Sequence, residues 1–380
     1  MEKYINIIVV FGLVINAIII WLLAQKDKIE LSQKILIVFF VVIIFLLTSL
    51  LAELNDFLIL FILTFNISDA ISLIIGPLIL LYVRSLFIEN KGLVKKNLVH
   101  FIYPVFYILV ITLPMLILNV LDIKVLIYEQ IEFFLDNNVF IATIYENIIL
   151  FAYTCFSFKL FFKYIKATKF VYSNIEETNF NWIKYLLYGI FIINIYDAIS
   201  IIFSSFYEDY TSESFFTVVV LLVLFLYYLG YKGVNHSKIL VPDFLLQPLK
   251  KQKTKVVLKI DEKESEIEIQ KIIDIILEKS LFIDKNLSLS KLAKETNLTD
   301  KKLSTIINQQ MKTTFYDLIN TYRLAEFKRR ILLEKYENIT ILGVAYDCGF
   351  KSKSTFNRLF KLHNGISPSV YKKENIKKSL

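Results

Sequence analysis

Seven apolar stretches, at 4–24, 35–52, 64–83, 98–118, 139–162, 182–203 and 215–231, constrain this 380-residue chain more than any other feature. Each is near the ~20 residues that an α-helix needs to cross the hydrocarbon core of a bilayer. Hydrophobic residues make up 56% of the chain, where soluble domains hold roughly 45–50%. The excess lies before about residue 232, so one half of the chain is expected in a membrane and the other outside it. The third stretch is the least sharply bounded, because apolar sequence runs from Phe57 to Ile88 and leaves room for a surface segment ahead of the span. The N-terminus has little positive charge and no small-residue cleavage pattern, so the first stretch reads as a span and not as a removed signal peptide.

The connecting loops orient the spans. Lys26, Lys28 and Lys34 lie between spans one and two, Arg84, Lys91, Lys95 and Lys96 between three and four, and Lys163, Lys166 and Lys169 between five and six. The alternate loops carry Glu53 and Asp56, then Asp122, Glu129, Glu132 and Asp136 with Lys124, then Glu208, Asp209 and Glu213. Basic loops stay in the cytoplasm, which places the N-terminus outside and the C-terminus inside. An odd number of spans satisfies that arrangement.

Polar groups inside the spans cost free energy unless they face protein, water or the interface. Counted from the basic ends at about 1.5 Å per residue, Asn66 and Asp69, Glu146 and Asn147, and Asn194 and Asp197 fall at similar depth in the outer half. These six residues are candidates for an outward-facing acidic pocket for a small-molecule signal. The alternative is a hydrated cap or a set of interhelical hydrogen bonds.

Charge is partitioned as sharply as hydropathy. Of the net +8, residues 1–249 contribute −3, residues 250–280 contribute +1 and residues 281–380 contribute +10. The C-terminal hundred residues are therefore suited to a polyanion. Residues 233–265, with Pro242, Pro248 and a mixed charge run, have too few large apolar groups for a core and read as a linker. Ile269, Ile272, Ile273 and Ile276 then recur at helical spacing and open the next domain. The expected organisation is all-α: a seven-helix transmembrane domain at 1–232, a cytoplasmic linker at 233–265 and a helical domain at 266–380. Cys155 and Cys348 read as small buried hydrophobes and offer no disulfide framework. His100, His236 and His363 are too scattered for a metal site or a catalytic pair, and no Gly-rich phosphate loop is present. An enzymatic role is not expected, nor a cofactor or metal.

Two helix-turn-helix patterns follow in tandem. In the first, Leu289, Leu292 and Ala293 share one face, Asn297 and Leu298 supply the turn, and Thr299 caps a helix carrying Leu303, Ile306 and Ile307. In the second, Ile341, Val344 and Ala345 precede the turn Cys348-Gly349-Phe350, and Phe356, Leu359 and Phe360 mark the buried face of the next helix. Phe315, Leu318, Ile319, Tyr322 and Leu324 suit a long helix between them. Burying the marked faces exposes Lys301, Ser304, Thr305 and Asn308 on the first recognition helix and Lys353, Ser354, Asn357 and Arg358 on the second. Arg reads guanine and Asn adenine by paired hydrogen bonds in the major groove, so these eight are the candidate DNA-binding residues. Lys328, Arg329 and Arg330 suit phosphate contacts or solubility.

The run from Leu287 to Lys373 resembles the AraC/XylS family of bacterial transcription regulators. The likeness is carried by Leu292-Ala293, Tyr322-Arg323-Leu324-Ala325, Ala345-x-x-x-Gly349-Phe350, Ser354-x-Phe356-x-Arg358-x-Phe360-Lys361 and Gly365-Ile366-Ser367-Pro368-x-x-Tyr371. The membrane half, with Gly76-Pro77-Leu78 through Tyr82-Val83-Arg84-Ser85-Leu86, more loosely resembles the membrane portions of AraC-type regulators of Bacteroidetes. The resemblance implies double-stranded DNA as ligand, a homodimer on two half-sites and contact with RNA polymerase. It implies a multi-pass protein of the inner (cytoplasmic) membrane, in contact with lipid. Thr305 stands where many relatives have Arg, which weakens base readout by the first unit. The competing reading is a transporter or receptor whose basic tail binds anionic lipid or a partner protein, and the paired fixed spacings argue against it, since lipid binding needs only charge.

Overall fold

The computed structural model describes residues 2–88, 92–121, 139–174, 178–204, 210–235 and 262–379. Lys91, the loop residues Asp122, Lys124, Glu129, Glu132, Asp136, Glu208 and Asp209, and the linker from 236 to 261 with His236, Pro242 and Pro248 lie outside the described residues, as do the side chains of Asn66, Asp69 and Glu213. The chain forms two units, one of residues 1–162 and 181–240, the other of 163–180 and 241–380. No β-strand occurs among the described residues.

The first unit holds the apolar helices α1 (Glu2–Ala24), α2 (Leu31–Leu54), α3 (Leu58–Phe87), α4 (Leu93–Leu118), most of α5 (Val139–Thr168), α6 (Thr178–Ser204) and α7 (Tyr210–Asn235). Six of them are long and apolar enough to cross a membrane, and α7 carries a shorter apolar stretch, Thr217–Lys232. The ambiguous third stretch is one 30-residue helix that carries Pro77 in its interior. Within α4 the turn Ile108–Thr112 is a π-helix, a widened turn of the kind that lets a helix shift register.

The inner faces pack closely. α1 packs on α2 and α7, and α2 on α3, with Leu23, Phe40, Ile43, Leu80, Leu226 and Leu229 almost fully buried. A Cβ on Gly230 would stand 2.0 Å from Ile19 Cδ1, so a larger residue there would have to displace the Ile19 side chain where α7 meets α1. The outer faces are equally apolar: Phe11, Trp21, Val41, Phe106, Leu109, Ile148 and Tyr227 are exposed on five helices. In water such a surface would cost about 25 cal/mol per Å²; against lipid tails the cost vanishes.

The second unit contains α8 (Glu262–Glu278), α9 (Leu289–Glu295), α10 (Asp300–Thr305, continued by a π-turn Ile306–Gln310), α11 (Phe315–Arg330), α12 (Ile341–Asp347), α13 (Lys353–Asn364) and α14 (Pro368–Ser379). Ser288, Thr299, Thr314, Thr340 and Ser352 start five of these helices, each accepting a hydrogen bond from the amide three residues on. Such caps satisfy an otherwise unpaired donor and contribute about 1 kcal/mol each.

Two apolar cores result. In the first, Ile272 and Ile276 of α8 meet Leu292, Ala293, Leu303, Ile306, Ile307, Phe315 and Ile319. In the second, Tyr316, Leu324 and Phe327 meet Val344, Ala345, Phe350, Phe356, Leu359 and Phe360. α11 thus turns one face to each core and joins them. Phe327 sits 4.7 Å from the Phe356 ring and 5.4 Å from Phe360, both edge-on, the arrangement the ring quadrupoles favour.

Candidate nucleic-acid interface

The tight turns before the recognition helices demand left-handed backbone. Asn297 adopts φ 56° between α9 and α10, and Gly349 adopts φ 94° between α12 and α13. Asn tolerates that region and Gly favours it. Position 349 excludes a side chain for a second reason: a Cβ there would lie 2.7 Å from the carbonyl oxygens of both Phe282 and Ile283.

On α13, Thr355, Phe356, Leu359 and Phe360 are buried, while Lys353, Ser354, Asn357 and Arg358 are exposed on one face. Lys361 is exposed too and extends this stripe by one turn. The i, i+4 step from Asn357 was the signal that would have found it. Ser354 Oγ lies 3.1 Å from the capping Ser352 Oγ. Arg358 Nη2 donates to the hydroxyl of the buried Tyr316 at 3.2 Å, so the start of α11 steadies the base of the second recognition helix.

On α10, Lys301 and Thr305 are exposed, and Thr305 Oγ1 donates back to the Lys301 carbonyl. Ser304 departs from the reading by spacing: it is 4% exposed, and its hydroxyl accepts from Asn308 Nδ2 at 3.0 Å. It stands one position from Leu303 and three before Ile307, on the shoulder of the buried face. Asn308 is half-buried on the π-turn, which rotates it away from where an unbroken α-helix would place it. The first unit therefore offers a narrower polar stripe than the second.

The basic run at the end of α11 is partly neutralised, at its two arginines. Glu326 accepts from Arg329 and from Arg330, and these bonds, Arg329's first, hold its carboxyl down to about 2 against the upward push of burial. Lys328 Nζ donates to Asn364 Oδ1 at 3.2 Å. Cys348 is fully buried, and burial pushes its thiol up to about 12, the state of an inert packing group.

In the first unit, Asn147, Asn194 and Asp197 come together between α5 and α6. Asn194 Nδ2 donates to Asn147 Oδ1 at 2.7 Å, and Asn147 Nδ2 donates to Asp197 Oδ2 at 3.0 Å. Glu146 is half-buried beside them on α5. An apolar cavity in this unit is lined by Ile35, Phe39, Leu78, Tyr82, Leu186 and Leu229 among others, and, of the described candidates, by none of Glu146, Asn147, Asn194 and Asp197. Among the described residues no group of three or more His, Cys, Asp or Glu side chains could hold a metal.

Two helix-turn-helix units that share one connecting helix define the second unit as a double helix-turn-helix DNA-binding domain. Residues 292–374 match a family model described as a helix-turn-helix domain, of the AraC type, which supports a DNA-binding regulator of that kind. No curated protein and no solved structure matches the chain.

Proposed function

We propose that this protein is a membrane-bound, sequence-specific transcription regulator whose membrane half senses a signal and controls its helix-turn-helix half. The observation that carries the reading is the union in one chain of helices apolar on their outer as well as inner faces with an AraC-type domain bearing an exposed Lys-Ser-Asn-Arg stripe on α13. The DNA-binding residues are Lys353, Ser354, Asn357 and Arg358 as base readers, with Lys301, Thr305 and Asn308 in a lesser role and Ser304 behind them. Domain limits at 1–232, 233–265 and 266–380 and a cytoplasmic C-terminus in the inner membrane complete the reading. A homodimer on DNA, contact with RNA polymerase and a small-molecule signal received near Asn66, Asp69, Glu146, Asn147, Asn194 and Asp197 belong to the same proposal. A membrane raises the local concentration of copies, which favours paired binding to two half-sites.

The test is selection from a randomised duplex pool by the full-length protein in lipid nanodiscs, at fixed salt because phosphate contacts make affinity salt-dependent. Enrichment of one sequence that outcompetes its scrambled version supports the proposal. Unselective binding that follows the anionic lipid content of the discs instead would assign the basic domain to membrane or partner contacts.

A further inference from the structure

The loop between α5 and α6 is built into the DNA-binding unit. Residues Lys163–Phe180 belong to that unit; Lys169–Val171 form a hydrogen-bonded turn after α5, and Tyr172 then pairs antiparallel with Ser288. Val171 is 5% exposed and Ser173 0% exposed.

What this segment supplies is mostly acceptors. The Val171 carbonyl accepts from the amide of Leu289 at 2.8 Å, the first residue of α9, and the Lys169 carbonyl accepts from Tyr316 in the first turn of α11 at 3.0 Å. Helix N-termini carry amides with no partner inside the helix, so the loop caps two of the helices that build the two helix-turn-helix units. Ser173 does more. Its carbonyl accepts from Arg323 Nη1 at 3.0 Å and from Asn320 Nδ2 at 3.0 Å, and its hydroxyl accepts from Arg323 Nη2 at 3.0 Å while donating to the Leu287 carbonyl at 2.7 Å.

Arg323 is fully buried in the middle of α11. Its Nε donates to the Phe282 carbonyl at 2.7 Å and its Nη2 also to the Asp284 carbonyl at 2.9 Å. Burial pushes its guanidinium down to about 10, with the Asp284 charge acting the other way, so it stays a cation at neutral pH. A buried cation is tolerated only while its donors are satisfied. Asn174 completes the junction, donating to the Lys285 carbonyl at 2.7 Å and to the Gly349 carbonyl, in the second unit's turn, at 3.1 Å.

We propose that Lys169–Asn174 is a releasable strap: docked, it locks the two helix-turn-helix units into the one arrangement that spans two grooves, and movement of α5 against α6 withdraws it. The proposal rests on the regulatory reading above and names its transmission element. Withdrawal strips acceptors from Arg323, Asn320, Leu289 and Tyr316 together. The junction between the units then loosens, and binding to a site that needs both recognition helices weakens more than binding to half of that site.

The experiment uses the full-length protein in nanodiscs and the duplex selected with it. Ser173→Pro removes the Ser173 amide and hydroxyl and is expected to weaken binding to the whole site by about tenfold or more, the scale on which stripping partners from a buried charge is felt. Binding to a duplex with the α13 half alone should stay within about twofold, which also shows that this half is folded. Asn174→Ala should act in the same direction and less. Tyr172 and Ser288 face each other as an antiparallel pair flanked by the Val171–Leu289 and Ser173–Leu287 hydrogen bonds. Their Cα separation of about 4.5 Å in such a pair suits a disulfide. The double variant Tyr172→Cys, Ser288→Cys should therefore crosslink within one chain on mild oxidation and keep whole-site affinity.

Unchanged whole-site affinity in Ser173→Pro, equal loss on whole and half sites, or a crosslink that is absent or joins two chains overturns the strap. If the unmodified protein selects no sequence, the regulatory reading fails instead, and the crosslink alone still decides whether the loop docks.

Discussion

Arg358 and Asn357 project from α13 with Phe356 and Leu359 beneath them, and this is where base readout is proposed. Arg358→Ala or Asn357→Ala should each cost about 1–3 kcal/mol on the selected duplex and relax preference at one base position. Lys328→Ala should weaken selected and scrambled duplexes alike and lower the salt slope by about one. Fluorescence anisotropy over a salt series separates the two outcomes, and an Arg358→Ala variant with intact preference would remove α13 from the groove. At this scale the second recognition helix was legible because one uninterrupted α-helix maps sequence spacing onto faces without error. The first was less so: Ser304 lies on the shoulder of its buried face and Asn308 on a π-turn, and no residue type announces a widened turn. Arg323 stood in the sequence as part of a motif, but its burial depends mostly on main-chain carbonyls as acceptors, which leave no trace in residue identity.

Among elements, α11 is the one on which the others depend, since Phe315 and Ile319 enter one core while Tyr316, Leu324 and Phe327 enter the other. Spacing showed the face with Phe315, Leu318, Ile319 and Tyr322, and of the other face Leu324 alone. The opposite face was underread because a helix apolar on two sides has no clear stripe. Phe327→Ala should destabilise the second core by about 3–5 kcal/mol, the usual result of deleting a fully buried ring. Hydrogen exchange would show protection lost along α12 and α13 and kept along α9 and α10; uniform loss would mean that the two cores unfold as one. The long apolar helices were legible as runs, and the 30-residue α3 shows why their ends were not: apolar sequence passes the expected edge of a span with no change in composition.

For the whole molecule, the alternation of basic and acidic loops fixes an expected topology. A reporter fused after Lys232 should be active only in the cytoplasm, and one inserted within residues 204–214 only outside. Reversed or uniform labelling would refute the seven-span arrangement, and a loop at 163–180 on the outer side would also put the strap beyond reach of its partners. The strap itself could not be read from the sequence, because its contacts join residues as far apart as Ser173 and Arg323 and periodicity speaks only of near neighbours.

The close approach of Gly230 on α7 to Ile19 on α1 sets an order of manufacture. α1 finds one of its partners only when α7 follows, and at about 5–20 residues per second that wait is on the order of ten seconds or more. The loop ending at Asn174 waits in turn for Leu287 and Arg323, while the nascent chain between them is still being made. The helix-turn-helix unit is thus assembled onto a loop made before it, and a chain interrupted ahead of Leu287 carries that loop without the groups it joins.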